Sequence, residues 1–251
     1  MPARFFVKLA YDGTAYHGWQ IQNNALSVQE ILQKTLEIIL KQPIEICGCG
    51  RTDTGVHARE YYAHVDLEKE MQGIEYSVYH INALLPPDIS IINIQKVNND
   101  YHARFSAIKR TYKYYINPKR IPFNRGFEYH YSPNLDLELM NEACLALMEF
   151  KYFACFSKSN TQVNNFVCEI SEALWTKDHD VLIFTISANR FLRNMVRAIV
   201  GTMIEIGLKK IDIHDLRKII LNGNRSDAGV SVPAKGLFLD KVIYPENMKI
   251  E

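Results

Sequence analysis

The chain has 251 residues, 47% hydrophobic and 23% charged, with a net charge of +1. That length allows one large or two small domains with a full core, and the composition excludes a fibrous or disordered chain. There is no apolar run of about 18 residues to span a membrane, and the near-neutral total excludes a uniformly basic nucleic-acid binder.

The chain opens on "RFFVKLAYDG", whose alternation up to Asp12-Gly13 predicts a strand and a turn. The run is too short and too polar for a signal peptide. "SVQEILQKTLEIILK" predicts a helix. Ser27 and Glu30 have capping-box spacing, and Val28, Ile31, Leu32, Leu36, Ile39 and Leu40 recur on one face. "IEICGCGRTDTGVHAREYYAHVDLE" reads as strand, glycine-rich loop and strand. "IEYSVYHINALLPPD" reads as a short helix stopped by Pro86-Pro87, and "ISIINIQKVN" as a strand.

The second half continues with a strand at "TYKYYIN" and a helix at "LDLELMNEACLALMEF". A hairpin follows, from "FVCEISEALWTKD" to "HDVLIFTISAN". "FLRNMVRAIVGTMIEIG" predicts a longer helix. "DIHDLRKIILNGN" predicts a helix with Asp212 as its cap and Gly223 beyond its end. "GLFLDKVIY" is the last strand. Strands and helices mixed without strict alternation argue for an α+β fold with antiparallel or mixed sheet. The boundary between halves is expected near residues 100–108, giving an N-terminal half of 1–104 and a C-terminal half of 105–251.

The five cysteines are odd in number and irregular in spacing, which suggests a reducing compartment and no disulfide framework. Cys47 and Cys49 lack the second ligand pair that a zinc site needs, so no metal is expected. Positive charge is clustered instead. Residues 101–127 carry seven Lys or Arg, seven aromatics and no acid, and residues 181–204 carry Arg190, Arg193 and Arg197 without an acid. Such clusters fit a phosphate backbone, and they also fit solvated basic faces.

Three stretches hold candidate chemistry. Asp53 stands in "GCGRTDTGVHARE" with Arg51 beside it. The glycines there allow unusual backbone angles and close approach of a ligand. An Asx-turn explains Asp53 equally well, and His57 four residues on is either an acid–base or metal partner or a residue that positions the loop. In "KRTYKYYI", strand alternation places Arg110, Tyr112 and Tyr114 on one face, an aromatic among cations suited to an unpaired base. In "NRFLRNMVRAIVG", Arg193 and Arg197 are four apart and share a helix face. No phosphate loop, dinucleotide fingerprint or nucleophile elbow is present.

The ordered blocks "YDGTAYHGWQIQ", "VQEIL", "GCGRTDTGVHA", "HARFSAIKRTYKYYI", "FLRNMVRAIVG" and "GLFLDKVIY" span nearly the whole chain. In that order they resemble the TruA family of tRNA pseudouridine synthases. The resemblance implies two similar halves forming a mixed, largely antiparallel sheet flanked by helices, with a basic cleft between. It implies a cytoplasmic homodimer that acts on tRNA without metal or organic cofactor. The reaction is isomerisation of uridine to pseudouridine at positions 38, 39 and 40 of the anticodon stem-loop. Carried over by position, Asp53 is the catalytic aspartate, Tyr112 the aromatic that stacks on the target base, and Arg197 the ion-pair partner of Asp53. Arg51 is an RNA contact that holds the flipped nucleotide in the room left by the glycines, and Arg110 and Arg193 are further substrate contacts. Cys49 and Thr54 stand where the family more often has alanine. A non-catalytic RNA-binding module on the same fold and a metal-dependent hydrolase using Asp53 and His57 are the rival readings.

Overall fold

The computed structural model describes residues 2–68, 78–159, 165–248 and 250. Among these the chain forms nine strands and five α-helices, a mixed and mostly antiparallel α+β arrangement. Two compact units result. The first takes residues 1–109 and 239–251, and the second takes 110–238.

In the first unit, β1 (Ala3–Tyr11) pairs antiparallel with β4 (Ile89–Val97) on one side and β3 (His57–Leu67) on the other. A short β2 (Ile46–Gly48) also pairs with β3, and β9 (Leu237–Ile243) is the next neighbour of β3. Phe5, Val7, Leu9 and Tyr11 of β1 are buried with Arg4, Lys8 and Ala10 only part-buried, so the alternation of its sequence is kept, and Phe6 is buried on the other face as well. Helix α1 (Val28–Leu40) starts where its cap predicts, with Ser27 Oγ accepting from Glu30 N at 3.3 Å. The Glu30 carboxylate is engaged by Lys34 at 2.6 Å. Leu32, Leu36 and Leu40 bury the inner face of α1, each contributing about 1.5–3 kcal/mol. Helix α2 covers Val78–Leu84, and the earlier part of the helix expected from Ile74 lies outside the described residues.

In the second unit, β5 (Lys109–Asn117) pairs antiparallel with β8 (Val181–Ala188), which pairs antiparallel with β7 (Ile170–Asp178). A two-residue β6 (Tyr129–His130), which the sequence does not signal, lies parallel to β5 and makes the sheet mixed. Helix α3 (Leu137–Met148) is tied to β7 by Asn141, whose amide bonds both the N–H and the carbonyl of Trp175 at 2.8 and 3.1 Å. Helix α5 (Ile213–Asn222) has the expected Asp212 cap, as a full capping box, and ends on Gly223 at φ +74°.

Helix α4 (Met195–Gly207) departs from expectation. It begins at Met195, four residues later than the apolar pattern suggests, because Asn194 sits in the left-handed region at φ 67°. Arg193 therefore precedes the helix, and the shared helix face expected for Arg193 and Arg197 does not exist. Eleven of the thirteen residues of α4 are buried, and only Arg197 and Glu205 are part-exposed. No helix among the described residues is long and apolar enough to cross a membrane.

Candidate functional site

The Asp53 loop joins β2 to β3 in the first unit. Its turn is closed by Val56 N–H donating to the Asp53 main-chain carbonyl at 3.1 Å. Gly55 takes φ +76°, the conformation a type II turn demands at that position. An Asx-turn on Asp53 would use the Gly55 N–H, but that group donates to the Tyr16 carbonyl at 3.2 Å. Main-chain groups therefore close the turn. Asp53 is half-buried and Arg51 is exposed.

The loop is clamped by the segment after β1. The Tyr11 and Thr52 hydroxyls lie 2.9 Å apart. Gly18, at φ +88°, approaches so closely that a Cβ there would stand 2.2 Å from the Thr52 carbonyl oxygen, and one on Gly13 would stand 2.0 Å from that of Val56. His57 Nδ1 lies 3.0 Å from Gly13 N and 2.9 Å from an Asp12 carboxylate oxygen, with the ring 1% exposed. Burial on these partners makes His57 an anchor of the loop. Trp19 stacks on Tyr61 at 4.1 Å, and Tyr61 donates to the Gly50 carbonyl.

Two of the loop glycines serve the fold itself. A Cβ on Gly48 would collide with Tyr61 and Trp19, so this glycine admits an aromatic pair. Gly55 makes the turn. Gly50 alone faces open space on its Cβ side. The clamp residues Tyr11, Gly13, Tyr16, Gly18 and Trp19 were legible only as a motif. Their signal was the two glycines and three aromatics within nine residues.

The second unit carries the other candidates. Tyr112 is half-buried on β5, its ring edge-on to Phe191 at 5.1 Å, with Arg110 on the same strand face donating to the Asn189 carbonyl at 2.9 Å. Tyr114, two residues on, is fully buried and donates to the Pro233 carbonyl at 2.8 Å. Burial holds its phenol far above its usual titration range. Arg193 is exposed, its carbonyl accepting from Lys158 N.

Arg197 is fixed from two directions. Its Nε donates to the Val232 carbonyl at 2.7 Å, and its own carbonyl accepts from Val232 N at 3.2 Å. The loop bearing Val232 lies directly on α4. A Cβ on Gly201 would stand 1.9 Å from the Val230 carbonyl oxygen, and Gly229 N donates to Thr202 Oγ1 at 2.9 Å. Arg225 braces the same loop, donating to the carbonyls of Ala228 and Gly229 at 3.2 and 3.1 Å and to Ser231 Oγ at 2.9 Å. Ser231 in turn meets the amide of Asn194, the residue that starts α4. Neither Arg225 nor Asn194 stands out in the sequence.

One further cluster has the composition of a metal site. Ligand atoms of Cys47, His64 and His102 lie within 4.8 Å of one another. The hydrogen bonding does not suit a metal. His64 Nδ1 accepts from Ala103 N at 3.2 Å, and His102 Nδ1 accepts from Arg104 N and Phe105 N at 3.0 and 3.2 Å. With Nδ1 accepting, the neutral ring keeps its proton on Nε2, whereas a ligating imidazole donates from the nitrogen that does not bind metal. The two rings instead hold the turn at 102–105.

This arrangement needs neutral imidazoles. Burial, then Arg4, pushes His64 down to about 4, and His102 is lowered for the same reasons. For a base whose folded value lies below its unfolded 6.5, the stabilisation is present above pH 6.5 and is lost as pH falls towards 4. His64→Asn keeps an acceptor without the titration. Its melting temperature should therefore vary less than that of the unsubstituted protein across this window. Parallel curves would show that His64 does not contribute.

The candidate residues are thus an acid on a braced loop in the first unit, and an aromatic beside an arginine with a fixed arginine on α4 in the second. A family model described as tRNA pseudouridine synthase matches residues 9–106 and 146–245. The chain belongs to that family. It is 49% identical over 246 residues to tRNA pseudouridine synthase A of Bacteroides fragilis, covering 98% of both chains. It is 49% identical over 248 residues to that of Bacteroides thetaiotaomicron, covering 98% of this chain and 92% of the relative. To that of Parabacteroides distasonis it is 45% identical over 245 residues, covering 98% and 97%.

Proposed function

We propose that the protein isomerises uridine to pseudouridine in tRNA, at positions 38, 39 and 40 of the anticodon stem-loop, as a cytoplasmic homodimer without metal or organic cofactor. The observation that carries this reading is the Asp53 loop. Its turn is closed by main-chain bonds and clamped by the segment after β1, and it carries the half-buried Asp53 side chain.

The reaction breaks the N1–C1′ bond, joins C5 to C1′ and moves the C5 proton, with no net change in composition. A stacked base must first be flipped, at a cost of a few kcal/mol. Tyr112 stacks on the flipped uracil and offsets about 1–3 kcal/mol of that cost. Arg51 holds the displaced nucleotide, and Arg110 and Arg193 take the backbone. Asp53 acts as nucleophile or base: it attacks C1′ or C6, or removes a ribose proton. It is also the candidate base for the final deprotonation of C5. Arg197 supplies the positive charge that keeps this carboxylate ionised where water is excluded.

Mapping pseudouridines in bulk tRNA incubated with and without the protein tests the reading. New pseudouridine at positions 38–40, formed equally in the presence of a chelator, supports it. No new pseudouridine at any position overturns it, and loss of product with chelator overturns its metal-free part.

A further inference from the structure

The acid-free basic stretch does not end at Tyr112. Between β5 and β6 the chain forms a loop, Pro118 to Phe127, whose root and tip differ in character. The root is tied to one carboxylate: Glu128 accepts from the Asn117 amide at 2.7 Å and from the Asn124 amide at 3.0 Å. Phe127 N and Glu128 N both donate to the Asn124 carbonyl, and Lys119 N donates to Asn117 Oδ1 at 2.9 Å. Lys119 Nζ is engaged by Asp180 at 2.6 Å. The nearby acids are thus occupied at the base of the loop.

The tip carries Arg120 and Arg125, both exposed, on either side of Phe123, which is 91% exposed. Ile121 and Phe127 are 38% and 40% exposed. A phenyl ring this exposed, flanked in sequence by two exposed arginines on a loop ordered by its own hydrogen bonds, is poorly matched to an apolar protein surface or a membrane. It matches an unpaired base, which offers a π-face to the ring and phosphates to the arginines.

We propose that Phe123, Arg120 and Arg125 form a tRNA contact separate from the catalytic residues, in which Phe123 stacks on an unpaired base and the arginines bind the adjoining phosphates. This rests on tRNA being the substrate, and the ring lies outside the set assigned to the chemistry.

The test compares Phe123→Ala, Phe123→Trp and the double variant Arg120→Gln/Arg125→Gln on full-length tRNA and on an isolated anticodon stem-loop. Phe123→Ala should weaken tRNA binding by about 5- to 100-fold, with the single-turnover rate at saturation unchanged. Phe123→Trp should keep the affinity, and its fluorescence should be quenched by tRNA. Trp19 and Trp175 are 3% and 2% exposed, so the new indole dominates that signal. The arginine variant should lower the salt slope of log Kd by about two. A loss seen with both RNAs places the base in the stem-loop, and a loss seen only with full-length tRNA places it elsewhere. Wild-type affinity in Phe123→Ala overturns the proposal. So does a shift in its sedimentation, which would assign the ring to a second copy of this chain. If the unsubstituted protein itself forms no pseudouridine, the substrate assignment fails, and the binding measurements then judge the loop on their own.

Discussion

Asp53→Asn is expected to abolish pseudouridine formation, by four orders of magnitude or more on the roughly 10⁴-fold scale of losing an essential charged group, while tRNA binding stays near the wild-type value. The Asp53 turn is closed by the residue's carbonyl, and the Asx-turn donor, Gly55 N, is already engaged by Tyr16. Asparagine keeps the size of the side chain, removes its charge and basicity, and exchanges one acceptor oxygen for an amide donor. Tritium release from tRNA labelled at C5 of uridine measures the chemistry, and filter binding measures affinity. Residual activity near wild type would remove Asp53 from the chemistry. Lost affinity with normal turnover would make it a binding residue and favour an RNA-binding module.

Most of the fold could be read from the sequence where a single residue type carries the physics. Ser27 and Asp212 cap α1 and α5, and Gly223 ends α5, because each supplies what a helix end lacks regardless of surroundings. The start of α4 was misread for the opposite reason. The apolar pattern runs back through Phe191 and Leu192, but the backbone at Asn194 turns left-handed, a choice made by packing and not by periodicity.

The loop glycines show the same dependence on packing. Their freedom was legible, but whether the space beside them holds substrate or a neighbour depends on residues well away in sequence. At Gly48 the neighbours are Trp19 and Tyr61. His57 is ambiguous in sequence and becomes an anchor once its burial against Asp12 and Gly13 is known. Arg197 was singled out by resemblance. Its setting, a part-exposed guanidinium on an otherwise apolar helix, gives an independent reason to single it out.

Arg197→Ala is expected to lower the single-turnover rate by about 10²–10³-fold, the usual scale for deleting one preorganised electrostatic group, with a much smaller change in Kd. The side chain is not a loose surface cation. Nε is committed to the Val232 carbonyl at 2.7 Å, so the plane of the guanidinium is set by a loop that Arg225 and the Gly201–Gly229 contact hold against α4. Truncation also leaves that carbonyl without its donor, at about 1–2 kcal/mol of stability, which a melting curve separates from the catalytic loss. Arg197→Lys is the sharper probe. Lysine restores the charge but not the planar fork, so it cannot hold Val232 and present a second nitrogen in a fixed direction at once. If orientation matters, Lys recovers little of the rate; if charge alone matters, it recovers most of it. A variant that binds tRNA weakly yet turns over normally at saturation would mean that Arg197 grips the substrate and does not keep the aspartate charged.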